Sequence, residues 1–400
     1  RLADRLGALY TPLAVGIALL AWMLSGDPVR FLAVLVVATP CPLLIAIPVA
    51  IIGTISLAAK RSIVIRDPVA LERMPSCTTI ILDKTGTITY GAPELVEQVP
   101  LGDLGMDQVL ALAASLEQYS KHPLAEAITR AARTRGLAIQ EAAQVDEPPG
   151  TGLRGIVQGH TVRLTGRAHV GRERPEAATI LGPARGGLEC VVLVDEELAA
   201  LYRFRDTPRG ESRSFIQHLG PQHGIDRVLL VSGDRESEVR ELARQVGITE
   251  IHAEKSPEEK LTIVEQERRR AQAIFVGDGI NDAPALMAAT VGIALGTQSD
   301  VTVEAAGAVI LDSSLQRVDE LLHISRRMRT IALQSAVGGM VLSVVGMGFA
   351  GVGLLSPVFG ALCQEIIDIV AIANALRTSR APDRLSDIRP EDDPTRADRR

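Results

Sequence analysis

The sequence predicts two membrane-spanning helical hairpins that flank a soluble α/β region with a smaller domain inserted into it. Four long apolar blocks, two near each end of the chain, predict the hairpins, because a membrane span needs roughly 20 apolar residues. Between them, short apolar strands alternate with helical stretches, a pattern typical of a doubly wound parallel sheet. Ala-rich helix followed by short, glycine-punctuated strands interrupts this pattern and predicts the inserted α+β domain.

Composition agrees with this division and argues against one class of partner. Charged residues make up 22% of the 400 residues although the mean hydropathy is positive, so apolar and soluble blocks must alternate. The formal net charge of −6, without a basic cluster and interleaved aromatic residues, argues against a nucleic-acid partner. The four cysteines lie far apart and form no CxxC pair, which fits a reducing compartment.

Positive charges orient the apolar blocks, which are residues 6–24, 31–59, 331–352 and 354–376. Basic residues stand before the first and third blocks and after the second and fourth: Arg1, Arg5, Lys60, Arg61, Arg326, Arg327, Arg329, Arg377 and Arg380. All these ends belong on the cytoplasmic side, and four spans satisfy them together. The sequence therefore predicts a multi-pass protein of the cell membrane, in contact with the lipid bilayer, with its soluble domains in the cytoplasm.

Particular stretches define the soluble region and its boundaries. Strands are predicted at 79–82, 191–194, 227–231, 273–276 and 291–294, and helices at 236–246 and 257–270. We divide the chain into a membrane hairpin (1–60), a first part of the α/β domain (61–92), the inserted domain (93–200), a second part of the α/β domain (201–328), a second hairpin (329–377) and a tail (378–400). The tail is rich in Arg, Asp and Pro without apolar periodicity, which predicts disorder.

The strand at 79–82 runs directly into Asp83, which is followed by Lys84, Thr85, Gly86 and Thr87. A buried parallel strand delivers a reactive side chain to the carboxyl edge of its sheet, where ligands bind. A carboxylate there can attack the γ-phosphoryl group of ATP and form an aspartyl phosphate. Lys84 would offset negative charge, and Thr85 to Thr87 would donate to phosphate oxygens. The alternative is an ordinary strand end with a solvated Asp–Lys pair.

Two further motifs suit phosphate chemistry. Ser232, Gly233 and Asp234 end a strand and lead into a helix, so their hydroxyl and amide groups could hold a phosphate. The same tripeptide is also common in ordinary turns. Lys260 lies on the first turn of a predicted helix.

The octapeptide Gly-Asp-Gly-Ile-Asn-Asp-Ala-Pro at 277–284 follows another strand. Asp278, Asn281 and Asp282 are spaced so that one group can ligate magnesium while the others order the loop. Magnesium prefers a few carboxylate oxygens, with phosphate and water completing its shell.

Cys41 lies between Pro40 and Pro42 in the middle of the second apolar block. Proline removes a helix hydrogen bond, so the span is predicted to be unwound there. Irregular backbone at membrane depth is tolerated where it is packed in protein or lines a cavity. A thiolate at such a break is a candidate transition-metal ligand; the alternative is a proline kink with an inert buried cysteine.

Gln364, Glu365 and Asp368 introduce polar groups into the fourth apolar block. Buried acids in a bilayer are costly and usually functional. Spacings of three and four residues place these side chains on one helical face. Alternatively the turn between the last two spans lies later, and the acids lie at the membrane interface.

The heptapeptide Asp-Lys-Thr-Gly-Thr-Ile-Thr at 83–89, together with the motifs around Ser232, Lys260 and Asp278, resembles the signature of the P-type ATPases. The resemblance extends along nearly the whole chain. It implies a haloacid-dehalogenase-like sheet for the phosphorylation domain, with ATP and magnesium as cofactors. It also implies that Asp83 is phosphorylated, that Lys260 faces the phosphoryl group, and that Asp278 binds magnesium with Asp83 and the Thr85 carbonyl. Asn281 and Asp282 would order the phosphoryl site.

The inserted domain resembles the nucleotide-binding domain of heavy-metal-transporting P-type ATPases. By that resemblance, Glu117, His122, Gly150 and Gly152 contact adenine and ribose. The motifs are weak when taken singly. A loop histidine before a helix is most often a helix cap, and the glycine pattern at 150–155 lacks the strand–turn–helix setting of a dinucleotide site.

The membrane motifs bear on the transported ion. Related metal pumps often have Cys-Pro-Cys where this chain has Thr39-Pro40-Cys41, so a second thiolate is missing. One thiol with carboxylates and an amide suits a divalent first-row ion better than copper(I). Thr-Pro-Cys-Pro combined with Gln-Glu-x-x-Asp resembles a small subgroup linked to nickel or iron export, while cobalt, zinc and manganese stay open.

The resemblance also predicts what lies outside this sequence. No Thr-Gly-Glu motif, which the family uses on an actuator domain, occurs in the 400 residues. We therefore expect the chain to be the carboxyl-terminal part of a longer pump, with the amino-terminal part as its partner. The predicted function is ATP-driven export of a divalent transition-metal cation through an aspartyl phosphate. The alternatives are a haloacid-dehalogenase-like phosphatase and a non-transporting remnant.

Overall fold

The computed structural model of the protein describes residues 2–39, 41–120, 122–148, 150–183, 188–278, 280–296, 300–312, 314–382, 384–386 and 388. Its first elements are the apolar helices α1 (Leu2–Ser25), α2 (Pro28–Val37) and α3 (Cys41–Ala59). Helix stops at Val37 and restarts at Cys41 because the prolines at positions 40 and 42 cannot donate backbone hydrogen bonds. The predicted interruption at Cys41 is confirmed, although Pro40 itself lies outside the described residues.

The chain next enters the parallel sheet through β1 (Ile63–Ile65), α4 (Pro68–Arg73) and β2 (Thr79–Asp83). Every residue of β2 is buried, as expected for an apolar strand that is covered on both faces of its sheet.

A six-stranded antiparallel sheet with helices forms the inserted domain. Its elements are β3 (Thr89–Pro100), α5 (Met106–Glu117), α6 (Pro123–Thr134), β4 (Ala142–Asp146), β5 (Leu153–Val157), β6 (His160–Gly166), α7 (Arg167–Glu173), α8 (Ala177–Leu181), β7 (Leu188–Val194) and β8 (Glu197–Pro208). The strand order is β3-β8-β7-β6-β5-β4. The expected boundaries of 93 and 200 cut through β3 and β8, which pair along most of their length from Thr89 to Pro208. The strand predicted at 191–194 belongs to this sheet.

The chain returns to the parallel sheet after β8. The remaining elements of this domain are α9 (Ser212–His223), β9 (Arg227–Val231), α10 (Glu236–Val246), β10 (Glu250–His252), α11 (Pro257–Arg270), β11 (Ala273–Gly277), α12 (Ala283–Ala288), β12 (Val291–Leu295), α13 (Asp300–Ala305) and β13 (Ala308–Ile310). The strand order is β1-β13-β12-β11-β2-β9-β10, parallel except between β1 and β13. This confirms the predicted doubly wound sheet.

This strand order positions the site. β2 lies between β11 and β9, with Leu82 opposite Val276 and Asp83 opposite Val231. The polar residues that follow these three strands therefore meet at one edge of the sheet, because parallel strands end on the same side.

Two long helices complete the fold: α14 (Leu315–Gly351) and α15 (Pro357–Ala375). Among the described residues, Pro28–Ala59, Leu315–Gly351 and Pro357–Ser379 are long and apolar enough to cross a membrane, and Tyr10–Ser25 is a shorter apolar helix. α14 begins well before the apolar block predicted at 331, because Leu315, Val318 and Leu321 belong to the core of the α/β domain. A single helix thus runs from that domain into the membrane segment.

Part of the tail departs from the prediction of disorder. Thr378, Leu385 and Ile388 are buried, and Ile388 packs into the core of the α/β domain. These three side chains are packed although the segment has no apolar periodicity, and disorder of the remaining tail stays a prediction. Residues 389–400 lie outside the described part of the chain.

Candidate functional site

Asp83 ends β2 and is buried, and a single turn at residues 84–88 follows it. Gly86 makes this turn with φ +70°, a conformation that favours glycine. A Cβ atom at Gly86 would lie 1.6 Å from an Asp278 carboxylate oxygen, so only glycine allows this close approach. The Thr85 side chain is exposed. The Thr87 hydroxyl is buried and has no hydrogen-bond partner among the described residues, so it is free to donate to a ligand.

Lys260 brings a positive charge to Asp83. Its ammonium group donates to Asp83 Oδ1 at 2.5 Å and to Asp282 Oδ1 at 2.9 Å. The start of α11 is fixed by a reciprocal capping box between Ser256 and Glu259, which places Lys260 in the first turn. Burial alone would lower the pKa of Lys260, but the two carboxylates raise it to about 12.

Three carboxylates converge at this edge of the sheet. One oxygen each of Asp83, Asp278 and Asp282 lies within 4.8 Å of the others. Burial and the charge of Asp282 raise the pKa of Asp83 to about 7, although Lys260 opposes this shift. Burial and Asp282 likewise raise the pKa of Asp278 to about 6. Lys260, and Arg209 near Asp278, therefore do not fully balance the carboxylates, and a hard divalent cation such as magnesium fits this oxygen set. Asn281 lies beside the cluster in sequence and is exposed.

Lys84 pairs with Asp234, whereas its position after Asp83 suggests that it offsets negative charge there. Its ammonium group lies 2.7 Å from Asp234 Oδ2 and 3.9 Å from Glu238 Oε2. The Ser232 hydroxyl donates to Asp234 Oδ2 at 2.8 Å and accepts from the Asp234 amide at 3.1 Å. Lys84 therefore ties the 232–234 loop, with its exposed Gly233, to the Asp83 turn.

Sequence reasoning missed two residues that hold this turn in place. Arg209 donates to the carbonyl oxygens of Thr87 at 2.9 Å and Gly86 at 2.8 Å. Asp206 accepts from the Thr89 hydroxyl at 2.5 Å and from the Gly91 amide at 3.1 Å. The only sequence signal was a pair of charged residues at the return from the inserted domain.

The residues predicted for nucleotide binding lie in the inserted domain. Glu117 ends α5 and is buried, and its Oε2 atom has no hydrogen-bond partner in the part of the chain that the structure describes. His122 caps α6 by accepting from the Leu124 amide at 3.2 Å, which is the cap arrangement considered above. Gly150 and Gly152 both have positive φ, and a Cβ at Gly152 would lie 2.1 Å from the Leu164 carbonyl oxygen.

Glu117 supplies a prediction on stability. Burial, and then the charge of Glu147, raise the pKa of Glu117 to about 7. Ionisation of Glu117 therefore destabilises the fold, by an amount that is zero below its unfolded pKa and grows as the pH rises to about 7. Glu117→Gln should raise the free energy of opening of α5 by roughly 2–3 kcal/mol at pH 8. Amide hydrogen exchange of the whole protein measures this, and the gain should vanish near pH 4.5; a gain that is the same at both pH values would contradict it.

The membrane residues form a second polar cluster. The Gln364 amide nitrogen donates to the Thr39 carbonyl at 3.3 Å and to Asp368 Oδ1 at 3.1 Å, and its oxygen accepts from the Ser343 hydroxyl at 3.0 Å. Cys41 begins α3 beside this cluster, and its thiol interacts with the Asp368 carboxylate. Gln364 and Asp368 therefore lie where α14 and α15 meet the break between α2 and α3.

The exposure of Glu365 changes the set of side chains predicted to face the ion. Gln364 and Asp368 are buried, whereas Glu365 is exposed. Successive residues are turned by about 100° around a helix, so Gln364 and Asp368, four residues apart, nearly superpose. Glu365 is turned by about 100° from Gln364 and lies outside the buried face. The face that meets Cys41 consists of Gln364 and Asp368.

Glycine brings α14 close to the interrupted helix. A Cβ atom at Gly339 would lie 2.4 Å from the Cβ atom of Pro42. Small residues at helix contacts allow such close approach in membranes. The interruption next to Cys41 is thus packed against α14.

Comparison with known proteins identifies the class. Residues 77–290 match the family model of the haloacid dehalogenase-like hydrolases, which covers more than half of the chain, so the chain belongs to that family. Over nearly its whole length it is homologous to heavy-metal P-type ATPases. It is 36% identical over 397 residues to a copper-transporting P-type ATPase of Rhizobium leguminosarum bv. viciae, covering 94% of this chain and 47% of that protein. It is 31% identical to a copper-exporting P-type ATPase of Bacillus subtilis, covering 95% and 49%.

Solved structures agree with this class. A zinc-transporting PIB-type ATPase is similar with a TM-score of 0.82 at 28% identity, covering 95% of this chain and 64% of that chain. The catalytic domain of the CPx-ATPase CopB-B is similar with a TM-score of 0.55 at 28% identity, covering 66% of this chain and 96% of that one. The chain spans about half the length of the curated relatives it matches.

Proposed function

We propose that this chain carries the phosphorylation, nucleotide-binding and ion-binding residues of an ATP-driven exporter of transition-metal cations. The observation that supports this best is the arrangement at Asp83, with Lys260 at 2.5 Å and the carboxylates of Asp278 and Asp282 beside it. The homology to heavy-metal P-type ATPases supports the coupling of this site to transport. Because the chain spans about half of those relatives, the activity is proposed for the full-length gene product.

Asp83 would attack the γ-phosphorus of ATP, forming an aspartyl phosphate as the bond to the ADP oxygen breaks. Lys260 would favour the ionised form of Asp83 and offset charge on the phosphoryl oxygens, and the unpartnered Thr87 hydroxyl would donate to one of them. Bound magnesium would stabilise negative charge on the phosphoryl group, and its proposed ligands are Asp83, Asp278 and the Thr85 carbonyl. The remaining polar groups would order the phosphoryl site: Lys84, Ser232, Gly233, Asp234, Asn281 and Asp282.

ATP would bind to the inserted domain through Glu117, His122, Gly150 and Gly152. The buried Glu117 Oε2 atom without a partner is an acceptor suited to the adenine amino group. The positive φ values of Gly150 and Gly152 allow the backbone to approach a ligand closely.

The proposed ion ligands are Cys41, Gln364 and Asp368. One thiol with a carboxylate and an amide oxygen is a harder set than two thiols, so we infer a divalent first-row cation, with nickel, iron or cobalt ahead of copper(I). The relatives named above transport copper or zinc, so this order depends on the ligand set alone.

Labelling with ATP tests the proposed function. The full-length gene product, incubated with γ-labelled ATP and magnesium, should acquire an acid-stable, hydroxylamine-labile phosphate. Asp83→Asn should abolish the label, because an amide cannot act as the nucleophile. Asp226→Asn is the matched control: it is an exposed aspartate just before β9, at the opposite edge of the same sheet, and should retain the label. Absence of the label from the parent protein, or a label in Asp83→Asn, would contradict the pump and leave a phosphatase or a remnant.

A further inference from the structure

Three of the seven histidines of the chain gather around one buried aspartate, far from Asp83 in the sequence and in a different part of the domain. His218 and His223 lie on α9, and Asp319 and His323 lie on α14. One ligand-type atom of each of these four residues lies within 4.8 Å of the others. We call these four residues the histidine cluster.

The atoms that meet in the histidine cluster are the Nε2 atoms of the rings and the carboxylate oxygens. His218 Nε2 lies 3.4 Å from His323 Nε2 and 3.2 Å from Asp319 Oδ1. His223 Nε2 lies 2.6 Å from Asp319 Oδ1, and His323 Nε2 lies 3.7 Å from Asp319 Oδ2. A tetrahedral ion with metal–nitrogen distances of about 2.0–2.1 Å has ligand atoms roughly 3.3 Å apart. The His218–His323 and His218–Asp319 Oδ1 distances lie close to that value, and a small side-chain movement would open the 2.6 Å distance from His223 to the same oxygen. His323 is measured against the second oxygen of the Asp319 carboxylate.

Burial adds an independent indication of a ligand. Asp319 is fully buried and His223 is 1% exposed. The Ser386 hydroxyl interacts with the Asp319 carboxylate, but by distance and angle its Oδ2 atom has no hydrogen-bond partner among the described residues. A buried carboxylate oxygen without a donor is costly to maintain. A cation between this oxygen and the imidazoles would remove that cost.

The framework around the histidine cluster is also fixed. The Arg326 guanidinium, one turn after His323 on α14, donates to the carbonyl oxygens of Gln222 and His223 at the end of α9. Asp319 and His323 are four residues apart and therefore project from the same face of α14. The two helices are thus held in the register that brings the four side chains together.

We propose that the histidine cluster is a binding site for a divalent transition metal of the zinc class, separate from the phosphoryl and membrane sites. Three imidazoles and one carboxylate are a ligand set that zinc, cobalt and nickel accept in tetrahedral or similar geometry, whereas magnesium and copper(I) prefer other donors. The bound ion joins α9 of the phosphorylation domain to the cytoplasmic end of α14. The same helix carries Ser343, which contacts Gln364, so the site fastens the phosphorylation domain to a helix of the ion-binding cluster.

This site does not depend on the proposed transport activity, so it is tested in a variant whose membrane site cannot bind the transported ion. The full-length gene product carrying Cys41→Ser and Asp368→Asn is stripped of metal, purified in detergent and titrated with cobalt chloride in excess magnesium chloride. Magnesium keeps cobalt from the carboxylates at Asp83. We expect one equivalent of cobalt to bind with the intense visible absorption of a four-coordinate site, and zinc chloride to displace it.

Single substitutions in the histidine cluster test whether these side chains bind the metal. His323→Gln, at the most exposed member, and His218→Gln should each weaken binding at least about 100-fold, because even outer-shell changes cost 10–100-fold. His252→Gln and His160→Gln, at histidines outside the cluster, are the matched controls and should bind cobalt as the parent does. Zinc should raise the thermal unfolding midpoint of the parent and of both controls, and not that of His323→Gln.

Two results would overturn the assignment. If the parent binds no cobalt, the four side chains are a hydrogen-bonded histidine–aspartate network. If His323→Gln and His218→Gln bind cobalt with parental affinity, the ion is held elsewhere. Circular dichroism of each variant without metal separates loss of a ligand from loss of the fold.

Discussion

Replacing Lys260 with methionine should reduce phosphoenzyme formation by about 10²–10³-fold. The change removes the cation that bridges Asp83 and Asp282 and leaves two buried carboxylates facing each other. Removing one partner of a buried ion pair costs about 3–5 kcal/mol, because the remaining charge is uncompensated. Lys260 also holds down the pKa of Asp83, so without it Asp83 would be protonated to a greater extent near neutral pH and would be a poorer nucleophile. Methionine keeps most of the side-chain volume, so the effect reports charge.

Lys255→Met provides the matched control for this prediction. Lys255 lies just before α11 and pairs with Glu259 at 3.3 Å, and in the described part of the chain its ammonium group forms no ion pair with the three carboxylates. Surface ion pairs of this kind contribute little, so phosphoenzyme should form at the parental level. The measurement is the rate of labelling from ATP at saturating magnesium for all three proteins. Equal rates for Lys260→Met and the parent would show that phosphoryl transfer does not require the Lys260 charge.

The core of the site could be predicted because it depends on strand ends. Apolar runs followed at once by Asp83, Ser232 and Asp278 are local signals, and parallel strands end at the same edge of a sheet. Once β9 and β11 flank β2, these residues must be neighbours. The order of the strands along the sequence does not define which strands are neighbours, so the positions of β9 and β11 on either side of β2 are known from the structure.

The contacts that escaped prediction join residues far apart in the sequence. Arg209 holds the Asp83 turn through two backbone carbonyls, which leave no mark in the sequence. Lys84 is expected to offset negative charge because it follows Asp83, whereas its ammonium group pairs with Asp234 on the loop after β9. The histidine cluster joins residues about one hundred positions apart, and no spacing rule relates α9 to α14.

The prediction for the membrane site rests on the difference between Asp368 and Glu365. Asp368→Asn should abolish stimulation of ATPase activity by the transported ion, a loss of at least about 100-fold in apparent ion affinity, because it removes the carboxylate ligand on the buried face. Glu365→Gln should retain most of the stimulation, because Glu365 is exposed and lies outside the buried face of α15. Each variant of the full-length gene product is assayed with nickel, cobalt, iron, zinc and copper(I).

The cysteines provide a second matched pair for the same site. Cys41→Ala removes the thiol that contacts Asp368, whereas Cys363→Ala removes an exposed thiol one residue before Gln364. We expect only Cys41→Ala to abolish stimulation, with nucleotide affinity unchanged in both variants because the inserted domain is untouched. Loss of stimulation in Glu365→Gln would show that Glu365 is also a ligand. The ion would then lie partly outside the buried face. Stimulation of the parent by copper(I) alone would contradict the ligand-hardness argument, because one thiol would then suffice for a soft cation.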